Sequence, residues 1–490
     1  METPADRGNR PGDDESWMFI YTERIQRKCY VSKEICMAVK IVLIGAGSAM
    51  FGLGSVGNIY KSKILEGSDI VLHDIDPAAL SRVEKTARSY LEEHDLNFSL
   101  TATTDRGEAL KGADFCIIAI ESGNRYVLWE QDWKVPLQFG VTQVYGENGG
   151  PGGLFHSLRI IPPILEICRD VMRIVPQAWV LNLSNPMTRI CTAVHMELPE
   201  LRLVGLCHEV VSLQEHLPTI LDTDLDNLDF MAGGLNHFSF LLKARYLDSG
   251  RDAYPDIRAR APAYFESLPE KDYGNLGAIK NMISRAQSTI LASEKRKHIW
   301  AERELFKVLL EKFGYLPITT DSHIGEYVGW AHSVVDHKGI LDFYDFYKKW
   351  CLEQVPEQRI RGAAEEEYWR EIPIIEGIVA DTGHQERAVN IPNIGFIANL
   401  PTDVIVEIPA MVNKEGIHGD MLGELPEGLR GLMLMQVSLN RLTAQAVIQK
   451  SKDLALQALL LDPVVNDAIA AEDAFDTILE LQHEYLGYLK

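Results

Sequence analysis

An α/β fold, with a doubly wound parallel sheet leading into a mixed helix-and-strand lobe, is predicted by three observations. The apolar run Lys40-Ile-Val-Leu-Ile44 ends in Gly45-Ala46-Gly47-Ser48, and a second apolar run ends in Asp74. Further apolar runs at 113–120, 179–183 and 201–206 are separated by helix-length segments, the alternation expected of parallel strands with crossover helices. Beyond about residue 238 this alternation gives way to a mixture of strand-like and helix-like stretches.

The glycine turn has a specific use. A strand, a tight turn rich in glycine, a helix and a second strand ending in an acid together form a Rossmann-like dinucleotide site. Gly45, Gly47 and Ser48 let backbone N–H groups approach a pyrophosphate at the helix N-terminus. Asp74 suits the ribose hydroxyls and favours NAD over NADP, although it lies further past Gly47 than the ~20 positions usual for this acid. The third glycine of G-x-G-x-x-G is replaced by Met50.

The remaining elements follow in order. Residues 1–36 are polar and of mixed charge, without the apolar core of a signal peptide, and read as a disordered extension with Met37 as a start. Residues 37–220 form the nucleotide-binding unit, and 221–490 a C-terminal substrate and oligomerisation unit. Within the second unit, Phe238–Tyr246 reads as a strand and 280–313 as helical. Residues 402–408 alternate as a half-exposed strand, and 428–461 form a long helical stretch.

Composition narrows the function. The net charge of -22 supplies no basic stripe for nucleic acid. No run of about 18 uncharged apolar residues occurs, so no membrane-spanning helix is predicted. Seven cysteines without staple-like spacing suit a reducing cytoplasm, where a lone thiol can serve as a metal ligand.

Ligands of a doubly wound sheet gather at the carboxyl ends of its strands. Those ends carry Glu121–Asn124, Asn182–Asn185 and Cys207–Glu209, and Gly234-Leu-Asn-His237 follows. Cys207 and His237 from different elements can make a metal site with open positions, or be a buried thiol and a core histidine. Asn185 before Pro186 can hold a sugar hydroxyl or a cofactor atom, or merely cap a helix. A glycine-rich loop, 147–153, leads into Arg159, and Asp321, His323, Glu326 and Tyr327 crowd one short segment. Gly416-Ile-His418 resembles the histidine loop of lactate and malate dehydrogenases, but it lies far from the nucleotide half and reads as a turn.

Taken together, these motifs resemble glycoside hydrolase family 4. They run from G-A-G-S (45–48) through G-G-P-G-G and S-L-R-x-I-P (157–162) to N-L-S-N-P (182–186). G-L-C-H-E-V (205–210), G-L-N-H (234–237) and N-L-P-x-D-V-x-V-E (399–407) complete the series. The resemblance implies a lactate/malate dehydrogenase-like architecture and an NAD- and Mn²⁺-dependent α-glycosidase outside the two-carboxylate mechanism. Such an enzyme oxidises the sugar at C3, removes the C2 proton, eliminates the aglycone and adds water, with the hydride finally returned. Cys207 and His237 are then the implied metal ligands, and Asn185 the residue touching substrate and cofactor. His208 protonates the leaving group or binds the sugar. Asp321 is the implied C2 base, with Tyr327 in reserve. Arg159 and His323 are expected substrate contacts, and Arg159 or Arg125 would pair with an acidic sugar.

C-H-E-V resembles the α-glucosidase branch. α-Galactosides, uronides and sulfosugars stay open as substrates, as does a plain NAD-dependent dehydrogenase or a catalytically inactive NAD sensor. A homodimer or homotetramer is expected.

Overall fold

A computed structural model describes residues 38–48, 52–267, 303–354, 360 and 370–490. The expectations for residues 1–36, for Met50 and for much of the 280–313 helix fall outside these.

Six parallel strands stand in the order β3-β2-β1-β4-β5-β6, the doubly wound order of a dinucleotide-binding sheet. They are β1 (Lys40–Ile44), β2 (Asp69–His73), β3 (Ser99–Thr103), β4 (Phe115–Ile118), β5 (Trp179–Asn182) and β6 (Leu203–Gly205). β1 after Lys40, and β4 throughout, are apolar because helices cover both faces of a parallel sheet. β3, with the sequence SLTAT, was not foreseen. It is an edge strand with alternating exposure, which needs little apolar content.

Helix α1 (Gly52–Lys61) follows the glycine turn, and α2 (Pro77–Glu93) is capped by Asp76, which accepts from the N–H groups of Ala78 and Ala79. Then come α3 (Arg106–Leu110), α4 (Arg125–Gln138), α5 (Gly150–Ile174), α6 (Met187–Glu197) and α7 (Val211–Leu221). No helix among the described residues is long and apolar enough to cross a membrane.

The sheet does not stop at residue 220. An antiparallel section continues it as β9-β10-β7-β8, from β7 (Leu228–Leu235), β8 (Phe238–Tyr246), β9 (His384–Pro392) and β10 (Ile405–Asn413). β11 (Gly416–Gly419) pairs with β10, so His418 lies in a hairpin, exposed and within 3.0 Å of Asn413 Oδ1. The seam is a single register contact, Gly205 of β6 opposite Asn390 of β9. β10, expected to be half exposed, is buried over its first six residues because sheet neighbours and helices cover it.

The long C-terminal helical stretch is two helices, α8 (Glu427–Gln449) and α9 (Lys452–Leu461). Lys450 adopts φ 56° and Ser451 caps the second helix through the N–H of Leu454, so the chain reverses there. α8 packs on α6 and α9 packs on α5, which fastens the C-terminal lobe to the nucleotide half.

Candidate active site

The glycine turn closes as its sequence requires. Gly45 takes φ 85°, where an added Cβ would lie 2.3 Å from the Ala119 carbonyl oxygen. Ser48 N–H donates to Gly45 O at 2.9 Å. Asp74 ends β2 half-buried, and its Oδ2 accepts the Gly47 N–H at 2.8 Å. The third glycine of such a motif permits close packing of helix on strand, and Gly52 packs in this way, since a Cβ there would sit 2.0 Å from Ala46 O. The spacing of the motif hid this glycine.

β5 leads into Asn182, Ser184 and the cis bond between Asn185 and Pro186. Asn182 is spent on the turn, its Nδ2 donating to Ser184 O at 2.9 Å. Asn185 Oδ1 is buried with no partner among the described residues. One helical turn on, Arg189 is 2 % exposed, and both terminal nitrogens of its guanidinium lack partners. Burial lowers its pKa, an effect that the charge of Asp462 opposes. The sequence reading missed Arg189, although its place four residues after Asn185 was a usable signal.

β6 delivers Cys207, and the β7–β8 turn delivers His237 with φ 59°. Cys207 Sγ and His237 Nε2 are 3.1 Å apart. Glu209 joins them, with one ligand atom from each of the three lying within 4.8 Å of the others. Burial raises the Cys207 thiol, as do the charges of Glu209 and Glu407, and burial lowers His237, aided by the charge of His323. A thiol, an imidazole and a carboxylate this close fit a divalent first-row metal, whose charge would reverse those penalties on the thiolate. His208 is pushed down to about 4 by burial and by the nearby Arg370 guanidinium, so it is neutral at pH 7.

The segment crowded with titratable groups lies against this cluster. The His323 ring stacks on His237 with centroids 4.5 Å apart. Burial alone would lower His323, but the neighbouring carboxylates of Glu326, Glu147 and Glu209 raise it to about 9. Glu326 is 1 % exposed and accepts the successive N–H groups of Glu147, Asn148 and Gly149, so the glycine-rich loop is tied down. Tyr327 stacks on Phe238, beside His237, with centroids 5.1 Å apart.

Two expected site residues are engaged elsewhere. Asp321 accepts the N–H groups of Leu305 (2.9 Å) and Phe306 (3.3 Å), which holds the start of the helix Glu304–Phe313. It is not in the Cys207 cluster. Arg159 is 5 % exposed and makes a two-pronged pair with Asp132, one bond being 2.9 Å, while also donating to Gln482 at 2.6 Å. Its guanidinium thus clamps α4, α5 and the C-terminal helices and is not displayed to an anion. Arg125 is likewise paired, with Glu121 at 2.9 Å and with Glu147.

Comparison with known proteins gives the family. The profile described as family 4 glycosyl hydrolase matches residues 40–223, and that of the family's C-terminal domain matches 232–465. The chain is 51 % identical over 461 residues to an alpha-glucosidase of Erwinia rhapontici, covering 93 % of this chain and 100 % of that protein. An alpha-galactosidase of Bacillus subtilis (strain 168) is 26 % identical over 448 residues, covering 89 % and 95 %. Among solved structures, a 6-phospho-alpha-glucosidase from gut microorganisms in complex with NAD and Mn²⁺ superposes with TM-score 0.72 at 22 % identity, covering 91 % and 98 %.

Proposed function

The chain belongs to glycosyl hydrolase family 4, and from that premise we propose that it hydrolyses α-glucosides with NAD⁺ and Mn²⁺. The observation that carries the reading is the thiol–imidazole contact of 3.1 Å at the carboxyl end of β6, where a doubly wound sheet binds its ligands. The Erwinia rhapontici alpha-glucosidase supports the choice of sugar because its 51 % identity extends over 93 % of this chain.

Gly45, Gly47, Ser48 and Asp74 would hold the dinucleotide, and Cys207 and His237, with Glu209 beside them, would hold the metal. When bound, NAD⁺ supplies a reversible hydride acceptor and the metal a Lewis acid for the sugar oxygens. The buried Asn185 Oδ1 lacks a donor, which a sugar hydroxyl provides. His208, neutral at pH 7, serves as a hydrogen-bond partner of the sugar. His323, stacked on the His237 ring, adds a second imidazole to the site.

We assign the C2 base to Tyr327. Each oxygen of the Asp321 carboxylate is turned to a backbone N–H at the start of the Glu304–Phe313 helix, whereas the Tyr327 ring lies beside the residue after His237. Burial holds the phenol well above its usual range, opposed by the nearby Arg189. Arg159 and Arg125 are both paired internally, so neither is offered to an acidic sugar. A cytoplasmic homodimer or homotetramer completes the proposal.

The test is hydrolysis of a nitrophenyl α-glucoside in deuterated water with catalytic NAD⁺ and Mn²⁺. Nitrophenol is released without accumulation of NADH, and the sugar carries deuterium at C2. Accumulating NADH would identify a dehydrogenase instead.

A further inference from the structure

Glu407, on β10, is 2 % exposed and has no place in the chemistry above. In register it stands opposite Asn390 of β9 and opposite Gly234 of β7. Asn390 in turn stands opposite Gly205 of β6. The residue therefore sits where the parallel and antiparallel sections of the sheet meet. The strand that delivers Cys207 lies on one side of it, and the strand that delivers His237 on the other.

Its side chain joins the two. Oε2 accepts from Asn236 Nδ2 at 2.7 Å and from Asn390 Nδ2 at 3.2 Å. Oε1 lies 2.9 Å from Ser239 Oγ. Asn390 Nδ2 also reaches Gly205 O at 3.3 Å, two residues before Cys207. The Asn236 backbone N–H donates to Thr188 Oγ1 at 3.2 Å. His237 follows directly in the left-handed region, a conformation costing about 1–2 kcal/mol for a residue with a side chain, so its neighbours must hold it. Both flanks of that turn, Asn236 and Ser239, end on Glu407.

We infer that Glu407 is the positioning residue of the metal centre, holding Asn236 and Asn390 so that Cys207 and His237 stay at a metal-binding separation. The inference rests on the reading of these two residues as metal ligands. Partners outside the ligand sphere that orient the ligands commonly carry about 10–100-fold of metal affinity. The role asks for hydrogen-bonding geometry at Glu407, not for its charge. An amide can supply that geometry, with Oε1 toward the two asparagines and Nε2 toward the Ser239 hydroxyl.

The experiment measures Mn²⁺ binding to the full chain by the loss of the free-ion electron paramagnetic resonance signal, beside thermal melting. It compares wild type with Cys207→Ser, Glu407→Ala, Glu407→Gln and Asn236→Ala. Glu407→Ala is expected to lose about 10–100-fold in Mn²⁺ affinity, with Glu407→Gln restoring it close to wild type. Asn236→Ala should show the same loss as Glu407→Ala, and it carries the test if Glu407→Ala fails to fold. Wild-type affinity in folded Glu407→Ala, or in Asn236→Ala, would overturn the inference. So would an equal loss in Glu407→Gln, which would make charge the cause. Wild-type binding that Cys207→Ser leaves intact would instead overturn the metal reading itself, and this inference with it.

Discussion

Replacing Arg159 by Met should destabilise the enzyme without changing how it recognises substrate. The Arg159 and Asp132 side chains are 3 % and 1 % exposed, and the pair is two-pronged. Removing the guanidinium leaves a buried carboxylate with Gln482 as its remaining side-chain partner, at 2.8 Å. Breaking such a pair costs about 3–5 kcal/mol. Unfolding entropy of ~2.1 cal/mol/K per residue over the roughly 400 described residues converts this to a Tm loss of about 4–6 °C. The sign with pH follows from Asp132, whose pKa burial raises despite the opposing Arg159 charge. A raised carboxyl pKa means the folded state binds the extra proton, so stability falls as pH rises toward that pKa. Losing Arg159 raises it further, so the deficit should be larger at pH 8 than at pH 5. Pairing Arg159→Met with Asp132→Leu should recover most of the loss, because no uncompensated charge remains. Differential scanning fluorimetry across pH, with KM for neutral and acidic glycosides, provides the assay. An unchanged Tm together with a raised KM for acidic glycosides alone would refute the clamp and return Arg159 to the substrate.

Chelation by EDTA should abolish turnover and added Mn²⁺ restore it, whereas Cys207→Ser should stay inactive at any Mn²⁺ concentration. Activity of the serine variant would remove the thiol from the metal site. Gly47→Ala would bring a Cβ within 2.8 Å of Asp74 Oδ2, so NAD⁺ affinity should fall at least about tenfold, the equivalent of one lost charge-assisted hydrogen bond. Calorimetry checks this, and wild type should prefer NAD⁺ to NADP⁺. Tyr327→Phe should lower kcat by about 10²–10⁴ with little change in Tm. Asp321→Ala should instead cost about 1–3 kcal/mol of stability through two unsatisfied helix N–H groups. The reverse pattern in kinetics and melting would give the base role back to Asp321.

The sequence by itself determined the doubly wound half, because its signals are local. Apolar runs bounded by turns make buried parallel strands, and a left-handed position such as Gly45 demands glycine wherever the chain goes next. It also singled out Cys207, His237 and Asn185, since strand ends in such a sheet converge on one crevice. Spacing was a poorer guide, and Gly52 was passed over because its role depends on the approach of Ala46 O rather than on a count. Only the tertiary structure decided what each charged residue does. Arg159 meets Gln482 across 323 positions, Glu326 meets the N–H of Gly149 across 177, and Glu407 meets Asn236 across 171. A buried charge takes whichever partner the packed fold brings within reach, and the distance along the chain says nothing of which one that is. Asp321 and Tyr327 show the same division. Six residues apart, with Asp321 the first choice and Tyr327 the second in sequence, they are separated by where the helix at Glu304 begins.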